Sequence, residues 1–415
     1  MEYKSYCLKN GIRLIHKKTN SPVANCAIFI NTGSRDEREN EQGLAHLIEH
    51  MIFKGTKKRK AYHILSRIDE VGGEIDAYTS KEEIVIMASF LNEYYERSFE
   101  LIYDIVFNST FPEKELIKEK EVIIDELNSY KDNPSEQIFD DFEELLFNNH
   151  PIGKNILGTK KSIKLFNQNN LNNFLKRTLN TDEIVISSVG NISFNEIKNL
   201  FIKYFDRVSE NKRNWKREAF NNYKPTYKKV LGPFHQSHCI IGNIGYNMFN
   251  DKRAELILLN NLFGGPGMNS RLNLNIREKH GFTYNIESNY TAYTDTGAWS
   301  LYFGTDKDYL ENIIELVYKE FEKLKSKKLG PIQFKKAQNQ IIGQIAISQA
   351  SNMNEMLSMG KSYMLFNKVD TLEEVKENIY KITPESLMDI ANEIFDKSTL
   401  STLIYKTDNK INDYD

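Results

Sequence analysis

Beyond residue 228 the order of structural signals in this 415-residue chain starts over. An early strand at 26–32 is echoed by 238–246, and an apolar helix at 43–53 is echoed by 254–263. Strands at 74–79 and 84–91 recur as 282–291 and 298–304, and each half runs on through helices to a late strand, 184–189 or 402–406. Two diverged copies of one ~200-residue unit are the simplest way to satisfy such a repeat. Each copy mixes strands and helices without strict alternation, so the fold class is α+β, a mainly antiparallel sheet packed with helices. The polar stretch 209–228, which carries Pro225, reads as an inter-domain connection. The expected division is a first domain 1–208, a linker 209–228 and a homologous second domain 229–415.

Local signals in the first copy are clear. Asn10-Gly11 separates strands 5–8 and 12–17, and both turn residues tolerate positive φ. A strand at 23–32 follows, then helices at 62–71 and near 93–106, and a long charged helix begins at Pro112. Another helix covers 194–204.

Composition removes several function classes. Fifty-five basic residues against 57 acidic ones leave a formal charge of −2, with no overall pull toward nucleic acid or an anionic membrane. No stretch approaches 18 apolar residues, so no membrane span is expected. Cys7, Cys26 and Cys239 are odd in number and far apart, which suggests neither a disulfide framework nor a thiolate zinc cluster. Packing roles for all three and a reduced compartment fit best. The N-terminus lacks a basic segment followed by an apolar one, and the expected location is the cytoplasm.

One helix of the first copy carries chemistry. Within Gly43-Leu-Ala-His-Leu-Ile-Glu-His-Met-Ile-Phe53, the residues His46, Glu49 and His50 are spaced H-x-x-E-H. At ~100° per residue, His50 falls ~40° past His46 and Glu49 ~60° before it, so all three leave one narrow face. Two imidazoles one turn apart can chelate a divalent cation, and the carboxylate beside them can hold a water on it. This is the inverted order of the H-E-x-x-H metallopeptidase helix, and it points to zinc-dependent peptide hydrolysis. A lone histidine pair is often only structural. Glu49, however, is surrounded by apolar neighbours, and a buried carboxylate without an organising charge is costly. The repeat helix at 254–263 has Leu and Asn at the corresponding places, so only the first copy offers a metal site.

Catalytic zinc usually has three protein ligands and one open position. The charged segment 115–130 supplies candidates for the third: Glu115, Glu119, Glu121, Asp125 and Glu126. Glu119 and Glu126 are two helical turns apart and share a face with Val122 and Ile123, with Leu116 close to it. That face is expected to turn inward, with Glu121 and Asp125 in water. A solvated charged helix is the alternative for this segment.

Together, 43–56 (GLAHLIEHMIFKGT) and 119–126 (EKEVIIDE) resemble the pitrilysin/insulinase family of zinc peptidases, and most closely the branch of the mitochondrial processing peptidase and its bacterial homologues. Further matches are 72–79 (GGEIDAYT), His150-Pro-Ile-Gly, 156–159 (ILGT) and the glycine-rich 264–284 (GGPGMNSRLNLNIREKHGFTY). His50 and Glu126 enclose 75 residues, one fewer than is common in the family, and a shortened loop absorbs the difference.

The resemblance implies one zinc per chain, held by His46, His50 and Glu126, with Glu49 as general base and Glu119 in support. It implies that Arg277 and Tyr284 contact substrate and stabilise the tetrahedral intermediate. By themselves these two would read as a charged helix end and a half-buried strand residue. Asp76, Ala77, Tyr78 and Thr79 would pair with a peptide substrate as an added strand; the alternative is an ordinary sheet edge. The expected activity is that of an endopeptidase on unfolded or leader-like peptides. The branch pairs such chains into dimers, which implies a homodimer here; a heterodimer with a zinc-less homologue also occurs. Non-catalytic binding subunits of the family have usually lost their ligands, whereas this chain keeps the set. A purely structural zinc would leave Glu49 without a role.

Overall fold

The Asn10-Gly11 turn joins β1 (Lys4–Cys7) to β2 (Arg13–Lys18), with Gly11 at φ +98° as a tight reversal requires. The computed structural model describes residues 3–408, and these form two units, each built on one sheet. Besides the hairpin, the first sheet contains β3 (Val23–Ile30), β4 (Glu74–Thr79), β5 (Ile84–Leu91) and β6 (Ile184–Gly190). Its order is β1-β2-β6-β3-β5-β4, and β2–β6 is the one parallel pairing. Every residue of β6 is buried, which is what a near-continuous apolar run predicts for a strand covered on both faces.

Alternation along the strands divides the side chains between those faces. Ala27, Phe29, Val85, Val185 and Val189 pack against Met356, Met359 and Met364 of the helix Asn352–Phe366. On the other face the Ser188 hydroxyl lies 3.1 Å from the Tyr95 hydroxyl of the helix Tyr95–Phe107, and Tyr95 meets Phe90 edge-on at 5.1 Å. Gly360 allows the methionine-bearing helix to lie close to the sheet, since a Cβ there would run into the Phe29 ring.

The second sheet contains β7 (Tyr227–Gly232), β8 (Ser237–Gly245), β9 (Thr283–Ala292), β10 (Gly297–Thr305) and β11 (Ser401–Thr407). Its order, β7-β11-β8-β10-β9, reproduces β2-β6-β3-β5-β4 strand for strand, including the single parallel pair. The repeat read from the sequence is therefore present in the topology. Trp299, Phe263, Phe321 and Phe395 form an aromatic centre to this unit, with ring centroids 4.4–6.2 Å apart.

The units are not contiguous in sequence. The first takes residues up to Asn128, Lys154–Arg217 and Ala346–Val369; the second takes Ser129–Gly153, Glu218–Ile345 and the residues from Asp370 onward. The helix Pro134–Leu146 thus packs on the second sheet, where a Cβ on Gly242 would lie 2.7 Å from Phe142. The helix Asn352–Phe366 returns the exchange on the first sheet. A linear division at 208 and 229 does not foresee this, because an amphipathic stripe shows that a helix must be covered and not by which sheet.

The stretch expected as a linker carries no helix or strand until β7 begins at Tyr227. Its part up to Arg217 is nonetheless pinned to the first unit: Arg217 donates two 2.8 Å hydrogen bonds to the buried Asp36 carboxylate. Charge pairing orders this segment, and hydrophobic periodicity carries no trace of it. Cys26 and Cys239 are buried as expected, whereas Cys7 is exposed, so packing does not account for it. Among the described residues no helix is long and apolar enough to cross a membrane.

Candidate metal centre

The H-x-x-E-H segment forms the helix Leu44–Met51, entered through Gly43 at φ +88°. A side chain on Gly43 would meet the Leu157 carbonyl at 2.6 Å, so both conformation and space call for glycine. The first N–H groups of a helix need partners from outside it. Glu37 supplies them, accepting from Gly43 at 3.0 Å and Ala45 at 2.8 Å. Burial pushes the Glu37 carboxyl up to about 8, with those two N–H groups opposing the shift. Nothing in the spacing of the sequence marked Glu37.

Leu44, Ala45, Leu47, Ile48 and Met51 are buried and fix the helix rotation, which leaves His46, Glu49 and His50 on the remaining face. The His46 and His50 rings stand 4.7 Å apart, inclined at 63°. Burial, aided by His50, pushes the His46 imidazole down to about 3 and so keeps it neutral, the form with a lone pair to give.

The helix Glu113–Lys131 brings the carboxylates. Glu119 is buried, Glu126 is half-buried, and Glu121 and Asp125 are exposed, as their spacing predicts. Val122 departs from the expectation: it is 48% exposed, and Ile124 and Leu127 are buried along with Leu116 and Ile123. The inward stripe is rotated slightly from the one drawn through Glu119 and Glu126.

Glu126 Oε2 lies 3.9 Å from Nε2 of His46 and 3.9 Å from Nε2 of His50. One ligand atom from each of the three residues lies within 4.8 Å of the others, and burial raises the Glu126 carboxyl while His50 opposes the rise. A tetrahedral zinc with ~2.0–2.1 Å bonds spaces its donors by about 3.3 Å, so a small contraction would close the set. Two imidazoles and one carboxylate suit zinc better than the all-oxygen cages of calcium or magnesium. His46 presents Nε2 to the cluster, and its Nδ1 is buried with no hydrogen-bond partner, which a ligand on Nε2 would not change. The donors fit the metal.

Around this set, Glu119 Oε2 accepts from His50 Nδ1 at 3.0 Å, which leaves Nε2 as the free donor atom. Its other oxygen, Oε1, lies 2.7 Å from the Lys54 ammonium, a residue the spacing argument did not single out. Glu49 Oε2 is buried without a hydrogen-bond partner. Burial raises the Glu49 carboxyl and the charges of Asp76 and Glu126 add to the rise, while Thr79 and His50 oppose it.

Asp76 and Thr79 belong to β4, the free edge of the first sheet, which runs beside the His46 helix. Asp76 is exposed, and Ala77, Tyr78 and Thr79 are half-buried. The Tyr78 hydroxyl donates to Glu83 at 3.4 Å. Arg277 and Tyr284 belong to the second unit. Arg277 lies on the π-helical segment Asn273–Glu278, 4.0 Å from Glu278, and Tyr284 on β9 is 86% exposed. A strand residue so exposed is not the half-buried packing residue that its sequence context alone would suggest. Among the described residues, the helix Arg253–Gly264, which repeats the His46 helix, takes part in no metal-binding cluster.

The chain is similar to known proteins over most of its length. Residues 13–160 match the description of the insulinase family (peptidase family M16), and 166–341 match that of the peptidase M16 inactive domain. An uncharacterised zinc protease of Bacillus subtilis is 31% identical over 409 residues, covering 98% of this chain and 99% of that one. A zinc protease of Rickettsia bellii is 32% identical over 403 residues, 96% of each chain. The β subunit of the bovine mitochondrial-processing peptidase is 26% identical over 408 residues, 96% of this chain and 83% of its own length. Among solved structures, a peptidase M16 inactive domain from Pseudomonas fluorescens superposes with a TM-score of 0.91 at 20% identity, covering 98% of both chains. A Helicobacter pylori protease gives 0.88 at 20% identity, covering 98% of this chain and 99% of that one. At that identity the two structures speak for the fold, and the sequence relatives speak for the family. The chain belongs to the insulinase family of M16 zinc peptidases.

Proposed function

We propose that this chain is a zinc-dependent endopeptidase that cleaves extended, unfolded or leader-like peptides. The observation that carries the reading is the convergence of His46 Nε2, His50 Nε2 and Glu126 Oε2 beside Glu49, whose Oε2 is buried without a hydrogen-bond partner. His46, His50 and Glu126 would hold one zinc per chain. When bound, zinc supplies Lewis acidity, polarising a carbonyl and making a water acidic enough to attack near neutral pH.

The remaining chemistry belongs to the chain. Glu49 takes a proton from the attacking water and later delivers it to the leaving amine nitrogen. Its burial-raised carboxyl is a stronger base than one in water, which suits it to both transfers. Glu119 holds the His50 ring in the tautomer whose Nε2 is free. Asp76, Ala77, Tyr78 and Thr79 take the substrate backbone as an added antiparallel or parallel strand, and the neighbouring side chains set a limited preference. Arg277 and Tyr284 contribute hydrogen-bond donors to substrate and to the developing oxyanion.

The bovine relative is named as a subunit, and by that likeness we assign this chain to a dimer. Because it carries both the metal set and the Arg277/Tyr284 pair, a homodimer in which each chain completes the other's site is the favoured assembly over a heterodimer with a zinc-less homologue.

Mass spectrometry of a mixed peptide pool tests the activity. Cleavage of linear peptides that stops with chelator and returns with zinc is the expected result; a zinc-loaded chain that leaves the pool intact would remove the reading. The assembly is tested separately by light scattering, where a fully active monomer would rule out catalysis across subunits.

A further inference from the structure

Lys54 is not part of any ligand set, yet its ammonium lies 2.7 Å from Glu119 Oε1 while Glu119 Oε2 meets His50 Nδ1 at 3.0 Å. The three side chains form a relay in which both carboxylate oxygens are used. A carboxylate fixed at one oxygen only can swing about its Cγ–Cδ bond, and with it the ring it orients. Fixed at both, it sets the direction in which His50 Nε2 points.

The backbone around Lys54 is held to the start of the helix that carries Glu119. Lys54 N–H donates to the Met51 carbonyl at 3.1 Å, closing the turn that ends the His46 helix. The next residue, Gly55, accepts from Thr110 N–H at 3.0 Å, and a Cβ on it would lie 2.9 Å from Pro112. Thr56 donates its hydroxyl to the buried Asp104 at 2.8 Å, and Arg59 joins the same carboxylate at 2.6 Å. The root of the Lys54 side chain is therefore tied both to the end of the histidine helix and to the residues that open the glutamate helix. Its ammonium closes the loop between them.

We propose that Lys54 is a positioning residue of the metal centre, acting through Glu119 to orient His50 toward zinc. This rests on the zinc-peptidase reading given above. An ordinary surface ion pair would do nothing of the kind; here Glu119 is buried, and the partner oxygen is already committed to a ligand. Residues that orient a ligand in this way typically alter metal affinity by about 10–100-fold when removed.

The test measures zinc affinity of the full chain by competition with a chromophoric chelator, alongside the melting midpoint of the metal-free protein. K54M is expected to weaken zinc binding by about 10-fold or more while the metal-free protein stays folded at the assay temperature. K54R, which keeps a cation in reach of Glu119, is expected to recover most of the affinity. In an E119Q background K54M should cause no further loss, because the relay is already broken. Wild-type affinity in K54M overturns the proposal, as does a full additional loss in the E119Q background. A wild-type chain that binds no zinc overturns the zinc reading itself, and this inference with it.

Discussion

Replacing Glu49 with glutamine is expected to leave zinc bound and to lower peptide turnover by about 10³-fold, within the ~10²–10⁴ range that a general base contributes. The glutamine amide keeps the volume of the carboxylate and cannot take a proton. Zinc content should not change, because the three converging donor atoms belong to His46, His50 and Glu126. The fold should not suffer either: Glu49 Oε2 has no hydrogen-bond partner to lose, and burial already disfavours its charge. Zinc per chain by elemental analysis, together with turnover of a quenched peptide, decides the matter. A variant that keeps both zinc and turnover would take the base away from Glu49 and pass the role to another group.

The second large effect falls on stability. Gly360→Leu should destabilise the first unit by about 3 kcal/mol, the upper part of the usual range for overfilling a close-packed core. Leucine is a better helix former than glycine by ~0.8 kcal/mol, which offsets only part of that loss. The steric term wins because the added Cβ meets the Phe29 ring, and that ring is fully buried between β3 and the helix with no space to turn aside. Gly343 in the helix Pro331–Ser348 has nothing within 4 Å of its would-be Cβ. Gly343→Ala should therefore gain about 0.5–1 kcal/mol from helix propensity and reduced chain entropy. Guanidinium midpoints of the two variants should move in opposite directions. Equal and small shifts would show that the Gly360 contact relaxes at no cost.

Much of this molecule was legible in its sequence, for identifiable reasons. Strands such as β5 and helices such as Leu44–Met51 follow from apolar runs and periodicity, and their ends from Gly43, Gly72 and Pro112. The pairing of Glu119 with Glu126 on one helix face is a consequence of 3.6 residues per turn. The residues that went unseen act through loops or across long separations. Glu37 reaches the helix start through a loop, Arg217 meets Asp36 from 181 positions away, and Lys54 touches a carboxylate 65 positions on. Such contacts depend on tertiary placement and leave no period in the sequence. Val122 shows the opposite failure. Its apolar character suggested burial, yet an exposed valine costs little on a helix whose other positions already fill the interface.

The reciprocal loan of helices also bears on how the chain comes off the ribosome. When residue 217 has been made, every strand of the first sheet exists, but the helix that covers Ala27, Phe29 and Val185 is still unwritten. At ~5–20 residues per second it arrives roughly 7–30 s later. Pro134–Leu146 waits longer still, since β11 lies more than two hundred residues downstream of it. A nascent chain of this design carries an open apolar sheet while more than a hundred further residues are made, and neither half, cut from the other, would be a finished domain.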